Sequence, residues 1–410
     1  MEHLPDDVLL KLMSFLDVAD LLQCCLVCKR LAPLARHADV WRHRDVSWTS
    51  RCTRLRHRAL FAALRLAPCV HSLEILLPPL PQPGLQLHTL FTAPCAARRL
   101  TLTLREELGA WQASLLIRHQ SALGRLKEID LRICCKLGSQ QNDSAPPVAP
   151  VLFGTLATTS GLDALKITGD LRKGDMLDAP APSTVVASLR RFECLTRDQV
   201  DCDAHWLEPF TNAVLATHAA TLTDVRVVSL GRPCPSPLMA PLLASMPHLT
   251  MLKCQMLPGM EAVAACAELR SVELRVDPDM GAALRASTAS FFRLAHQLRH
   301  VSIWCSEFCE AGEFVSAMAT SGRSCVETVC VDNQDVLDRP QAERLSAAVH
   351  WLPALRLLKI KVGAYSEDAR RTLLTVANNS LRVHLCAPHR TLNHRTLIKL
   401  FCCKSYPKSK

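Results

Sequence analysis

A short apolar pattern returns along most of the chain, and it constrains the fold more than any other feature. It reads L-x-x-L-x-L, often with Val or Ile in place of Leu, and weaker copies centre on Leu100, Phe192 and Leu381. Apolar residues that alternate at its fourth and sixth positions are typical of a short strand that buries one face. The pattern therefore predicts a series of short strands. The clear copies begin at Val70, Leu126, Leu162, Leu222, Leu249, Leu269, Leu298, Val326 and Leu355.

The spacing of these copies indicates one repeated unit. Most successive copies lie 20 to 29 residues apart, and segments with helical spacing, such as 340–351 and 366–377, separate them. Leu345, Ala348, Leu373 and Val376 form the predicted inward faces of those two helices. The chain resembles the long, helix-bearing leucine-rich repeats, although the expected ninth-position Asn or Cys occurs only as Cys134 and Cys386. We expect an α/β fold, a curved solenoid with parallel strands on its concave face.

The N-terminal segment has a different character, because it is apolar around nearly the whole circumference of its predicted helices. Apolar residues follow at helical spacing from Val8 to Leu16, Asp17 has the position of an N-cap, and a second apolar helix runs on to Val27. A third helical segment precedes Trp41. Such helices must be buried on more than one side. Either the rest of the chain or a partner protein covers them.

The order of residues in this segment resembles an F-box. The resemblance rests on Leu4-Pro5-Asp6-Asp7, Leu9, Leu12, Phe15-Leu16, Asp20-Leu21-Leu22, Val27-Cys28-Lys29-Arg30 and Trp41. Asp7 stands where the family usually has Glu, and Leu31 stands where it usually has Trp. The resemblance implies a three-helix domain that binds a Skp-type adaptor, which bridges to a cullin and a RING subunit. The adaptor contacts that it implies are Leu4, Pro5, Leu9, Leu12, Leu16, Leu21, Leu22 and Val27.

The strands also predict where a target protein would bind. Residues that flank the buried pair of each strand point to the opposite, concave face. On this face the early strands carry more acidic residues and the last strands more basic ones, and Trp304 lies among them. Tryptophan and arginine are common in interface hot spots. The sequence predicts that an acidic or phosphorylated target contacts Lys253, Arg275, Trp304, Lys359 and Lys361. The alternative is that Trp304 turns into the core and the charges are only solvated.

Composition and motifs argue against several other classes of protein. Most of the net charge of +10 comes from the segment after Leu385, so nucleic-acid binding is not expected for the body of the protein. The sequence has no Gly-x-Ser-x-Gly, no Gly-rich phosphate loop and no His-Glu-x-x-His. We expect no catalytic residue, cofactor or metal, and we expect the 20 scattered cysteines to be buried thiols. No apolar run is long enough for a membrane span, and a cytoplasmic or nuclear location is expected.

These observations lead to one predicted function and one alternative. The first is the substrate-recognition subunit of a Skp–cullin–F-box ubiquitin ligase, and the second is a binding scaffold that acts outside a ubiquitin ligase. They differ in whether the apolar surface from Leu4 to Leu26 is left open or is docked on the repeats. The predicted domains are residues 1–48 (F-box), 49–69 (linker helix region), 70–388 (about 12 repeats) and 389–410 (basic tail).

Overall fold

The structure is a computed structural model, and it forms two compact units, Met1–Leu238 and Met239–Lys410. The predicted basic tail, with Cys402 and Cys403, lies outside the described residues, as do most of the Pro-rich segments. The described residues are 4–48, 54–77, 87–105, 108–134, 148–169, 185–196, 207–229, 236–277, 281–305, 308–320, 322–333, 336–375 and 381–386.

The first unit begins with four helices, where the sequence predicted three. They are α1 (Asp6–Met13), α2 (Val18–Val27), α3 (Leu31–Ala35) and α4 (Ala38–Trp41). Asp17 caps α2 as predicted, because its carboxylate accepts the amide N–H of Asp20 at 2.7 Å. The added helix arises because the His37 ring accepts the amide N–H of Asp39 and so caps a new helical turn. Trp41 is buried in α4 and donates from its indole to the Ala35 carbonyl at 2.7 Å.

A parallel sheet with intervening helices makes up the rest of the first unit. Each strand pairs in parallel with the next, and Leu73, Leu100 and Ile129 lie opposite one another as the repeat alignment predicted. The same row continues through Leu165 and Phe192. The strands are β1 (Asp45–Trp48), β2 (Cys69–Leu77), β3 (Ala96–Leu104), β4 (Glu128–Ile133), β5 (Ala164–Gly169), β6 (Arg191–Thr196) and β7 (Asp224–Ser229), and the helices are α5 (Arg54–Leu66), α6 (Leu87–Thr92), α7 (Leu108–Ala122), α8 (Val148–Thr158) and α9 (Glu208–His218).

The second unit repeats the arrangement with six longer strands, each of which pairs in parallel with the next longer strand along the chain. Two short strands, Val336–Leu337 and Ala364–Tyr365, pair separately with each other. In chain order the elements are α10 (Met239–Ala244), β8 (Met251–Gln255), a 3-10 helix (Met260–Ala265), β9 (Ser271–Val276), α11 (Ala282–Leu294), β10 (His300–Cys305), α12 (Phe308–Thr320), β11 (Thr328–Asn333), β12 (Val336–Leu337), α13 (Arg339–His350), β13 (Leu357–Lys361), β14 (Ala364–Tyr365), α14 (Glu367–Thr375) and β15 (Arg382–Cys386).

Two details of the predicted sheet are wrong. The sheet begins earlier than predicted, because β1 lies within the range assigned to the F-box and pairs Val46 with Leu73. The last copy is displaced by two residues, because Leu358 pairs with Val383 and not with Leu381. In both places the strand is at the margin of the repeated pattern, where alternation is weak and backbone pairing with the neighbouring strand sets the register.

The core lies between the helices and one face of each strand. In β9, β10 and β11 every second side chain is buried. Leu345, Ala348 and Leu373 are buried as predicted, whereas Val376 lies outside the described residues. Aromatic rings join α11 to α12, since the Phe292 ring lies 5.7 Å from that of Phe314. The helices therefore fix which face of the strands stays open to partners.

Cysteines contribute to this core as free thiols. Burial raises the pKa of Cys95 and of Cys254 to about 12, so both stay protonated and pack as small apolar side chains. Among the described cysteines, the prediction of buried thiols is wrong for Cys28, Cys134 and Cys325, which are exposed, and it holds only in part for Cys24, Cys25, Cys330 and Cys386, which are half-buried.

Candidate protein-interaction surfaces

The first two helices expose large apolar side chains. Val8 and Leu12 are four residues apart on one side of α1, and Phe15 follows directly after that helix. Leu26 and Val27 end α2. The exposed fractions are 40% for Val8, 50% for Leu12, 76% for Phe15, 80% for Leu26 and 68% for Val27. We call these five residues the F-box apolar surface.

The predicted adaptor contacts divide into three groups. Pro5, Leu12 and Val27 are exposed. Leu4, Leu16 and Leu22 are half-buried. Leu9 and Leu21 are 3% and 0% exposed, so they belong to the interior of the domain and not to its surface.

This division corrects the predicted surface. Leu9 and Leu21 are buried because α1 packs against α3 and α4, while α2 packs against α3 and α5. Val8, Phe15 and Leu26 take their place as exposed apolar residues. The sequence does not show which side of each helix is buried, because nearly all positions of these helices are apolar.

Two arginines hold the helices that carry this surface. Arg30 pairs with Asp6 at 2.7 Å and donates to the Leu4 carbonyl, which fixes the start of α1 against the start of α3. Arg44 donates to the carbonyls of Val40 at 2.7 Å and Met13 at 2.8 Å. Burial lowers the pKa of Arg44. These bonds satisfy carbonyls at helix ends, and they fix the orientation of α1 with its apolar side outward.

The open face of the strands in the first unit carries charges that neutralise one another. Arg99–Glu128 and Lys166–Glu193 pair opposite charges on neighbouring strands, which is a favourable arrangement, and further pairs form within one strand or between β2 and β4. The ion pairs are Arg99–Glu128 at 2.5 Å, Arg132–Asp130 at 2.9 Å, Arg132–Glu74 at 3.2 Å, Lys166–Glu193 at 2.7 Å and Arg226–Asp224 at 3.0 Å. This face therefore presents few unsatisfied charges to a partner.

The open face in the second unit contains all five predicted target contacts. Trp304 lies on this face, because Ile303 and Cys305 on either side of it are the buried residues of β10. The Arg275 guanidinium lies 5.0 Å from the centre of the Trp304 ring, a cation–π distance. Trp304 is thus half-buried under Arg275. The alternative that it turns into the core is excluded by the alternation of the strand.

The lysines of this face differ in their partners. Lys253 pairs with Glu273 at 2.5 Å, and Lys361 pairs with Asp332 at 2.7 Å. Burial opposes the charge of Lys361, but the hydrogen bond to Asp332 outweighs it, and the pKa of Lys361 is raised. Lys359 lies in register between Cys330 and His384, and within the described residues it makes no ion pair. Together with Arg382 on the next strand, it gives this end of the face an excess of positive charge.

The described part of the chain has neither a metal-binding cluster nor a helix that could cross a membrane. No group of three or more His, Cys, Asp or Glu residues there could hold a metal ion. No helix there is long and apolar enough to cross a membrane.

Comparison with known proteins gives a result for the N-terminal domain. A family model described as F-box-like matches residues 1–47. Over 42 residues the chain is 50% identical to "F-box only protein 3" of Bos taurus and of Homo sapiens, and 48% identical to that of Rattus norvegicus. These matches cover 10% of this chain and 9% of each relative. The chain therefore has an F-box-like domain at its N-terminus, and these matches cover only a small part of each relative's length.

Proposed function

We propose that this protein is the substrate-recognition subunit of a Skp–cullin–F-box ubiquitin ligase. The F-box-like domain binds a Skp-type adaptor, the adaptor links the protein to a cullin and a RING subunit, and the strand-and-helix units bind the target. In this role the protein contributes binding and performs no catalysis. One observation carries the proposal: the F-box-like domain exposes five large apolar side chains by 40 to 80%.

The exposure of this surface has an energetic meaning. Burial of a Val, Leu or Phe side chain is worth about 1.5–3 kcal/mol, so five of them provide a strong driving force for association. Clustered exposed apolar residues mark interaction sites on soluble proteins. The scaffold alternative would have this surface docked on the protein's own strands and helices. Its exposure within the described residues favours the adaptor.

We further propose that the target binds the open face of the second unit. The contrast between the two faces supports this assignment, because the first face neutralises its own charges whereas the second has an excess of lysine and arginine toward β13 and β15, where Lys359 and Arg382 lie. Arg275 and Trp304 form a stacked pair that is already in place, and such anchors lose little conformational entropy on binding. Lys359 would then meet an acidic or phosphorylated residue of the target, and Lys361, which pairs with Asp332 in the free protein, would share its charge between Asp332 and the target.

The adaptor part of the proposal is tested by Leu12→Asp combined with Phe15→Asp. Both side chains are exposed in the free protein, so the fold tolerates the change. A charge buried without a partner in the complex costs several kcal/mol. We expect the double variant to lose co-purification of adaptor and cullin from cells while its circular dichroism is unchanged. Normal recovery of both subunits by the folded variant would refute this part.

The target part is tested by Trp304→Ala and, separately, by Lys359→Glu with Lys361→Glu. Each variant should lose targets in proximity labelling and keep the adaptor. The matched control is the exchange Lys166→Glu with Glu193→Lys, which preserves an ion pair on the open face of the first unit. If the labelled proteins are the same for both variants and the control, recognition lies elsewhere on the chain.

A further inference from the structure

A second candidate site lies on the helix side of the second unit, away from the open strand face. It is a groove of about 950 Å³ between α12 and α13, with α11 at its margin. Its floor consists of small residues, which include Gly312, Ser316 and Ala347. Grooves of this size are in the range that holds small ligands and short peptide segments. The charged residues that line it are Arg285, Glu313 and Arg344, so the groove is positive by one charge.

One end of the groove is formed by an exposed tryptophan. Trp351 directly follows α13 and is 70% exposed. A large aromatic side chain that stays in water is an unusual and informative feature. Arg344 lies seven residues earlier on the same side of α13, and within the described residues it makes no ion pair. Seven helical residues span about 10 Å. The groove thus presents an apolar anchor and a cation at that separation.

A glycine in the floor leaves the α12 backbone accessible from the groove. Gly312 lies inside α12, and a Cβ built there would meet no atom within 4 Å. Neither a clash nor a positive φ therefore requires glycine, in contrast to Gly322, whose φ is +61°. Glycine inside a helix costs about 0.5–1 kcal/mol relative to alanine. At this residue a bound segment can approach the α12 backbone closely without a side chain in the way.

We propose that the α12–α13 groove binds a short peptide segment of a partner protein, in which a bulky apolar side chain contacts Trp351 and an acidic side chain pairs with Arg344. Three residues of extended chain cover about 10 Å, so the apolar and acidic residues should be about three positions apart. The positive charge of the groove favours the acidic residue. This inference does not depend on the F-box-like domain or on the open strand face.

Random peptides displayed on phage, selected on the purified full-length protein, provide the test. We expect the selected peptides to share an apolar residue and an acidic residue at the stated spacing. Their binding, measured by fluorescence anisotropy, should weaken about tenfold or more for Trp351→Ala and for Arg344→Glu. Gly312→Leu should have the same effect, because Gly312 lines the groove and an added Cβ there meets no atom within 4 Å, so the larger side chain has space only where the peptide would lie.

Two control variants separate this site from general effects. Trp111→Ala removes a tryptophan that is 50% exposed in the first unit, and Arg293→Glu reverses an exposed charge on α11 outside the groove. Both should bind the selected peptides normally. Peptides without the expected pattern, or equal binding by all variants, would overturn the proposal. So would concentration-dependent dimerisation that Trp351→Ala abolishes, because the occupant would then be a second copy of the chain.

Discussion

His218 is a buried residue whose protonation the fold opposes. Its ring Nδ1 lies 3.2 Å from the amide nitrogen of Ser188 and 3.4 Å from that of Leu189, and it accepts their hydrogen bonds. Burial lowers the pKa of His218 below its usual value of 6.5. The neutral ring therefore joins α9 to the segment that precedes β6, and a proton on Nδ1 would break that junction.

This arrangement predicts a loss of stability in mild acid. As the pH falls below about 6.5, the unfolded chain binds a proton at this residue before the folded chain does, so the free energy of unfolding decreases. The decrease from one such group is at most about 1.4 kcal/mol per pH unit. In urea unfolding between about pH 7 and pH 5.5, His218→Gln should depend less on pH than the wild type. The same dependence on pH in the wild type and in His218→Gln would contradict the prediction.

Single residues of the F-box apolar surface also mark the limit of what the sequence predicts. The sequence identified the apolar segment and the Asp17 cap, because local composition and capping chemistry determine both. It could not separate Leu9 and Leu21, which are buried, from Val8 and Leu26, which are exposed. When nearly all positions of a helix are apolar, the buried face depends on the elements that pack against it.

At the scale of single elements, two glycines provide a matched pair of tests. Gly169 ends β5, and a Cβ built there would lie 2.7 Å from the Cβ of Ile133 on β4 and closer still to its carbonyl oxygen. Gly154 lies inside α8, where an added Cβ would meet nothing within 4 Å. The same substitution should therefore have opposite effects in the strand and in the helix.

We expect Gly169→Ala to destabilise the protein by about 1–3 kcal/mol, because the backbone of β4 cannot move away from the new methyl group. Gly154→Ala should stabilise it by about 0.5–1 kcal/mol through helix propensity. Chemical unfolding of the two variants measures both changes. Equal and small effects would mean that β4 and β5 do not approach as closely as described.

Elements were predicted well where the pattern was regular and poorly at its margins. The alternation of apolar residues identified most strands, because a strand with one buried face must alternate. It did not identify β1, whose four residues Asp45–Trp48 are too few for a periodic signal. Their place in the sheet depends on pairing with β2 and on contact between the rings of Trp48 and Phe61, 6.2 Å apart.

At the scale of the whole molecule, β1 changes where the protein can be divided. The predicted boundary at residue 48 would remove β1 from the sheet and expose the long edge of β2. Uncovered strand edges promote aggregation. A fragment that begins at His43 should therefore stay monomeric in size-exclusion chromatography, whereas a fragment that begins at Ser50 should aggregate. Equal behaviour of the two fragments would show that β1 is dispensable.

The central claim is that the F-box apolar surface binds a Skp-type adaptor. Its most direct test is isothermal titration of a purified Skp-type adaptor into the full-length protein, its Phe15→Asp variant and a Trp111→Asp control. We predict a one-to-one complex for the wild type and the control, and a loss of affinity of about 100-fold or more for Phe15→Asp, equivalent to about 2.7 kcal/mol. No binding by the wild type, or undiminished binding by folded Phe15→Asp, would contradict the claim.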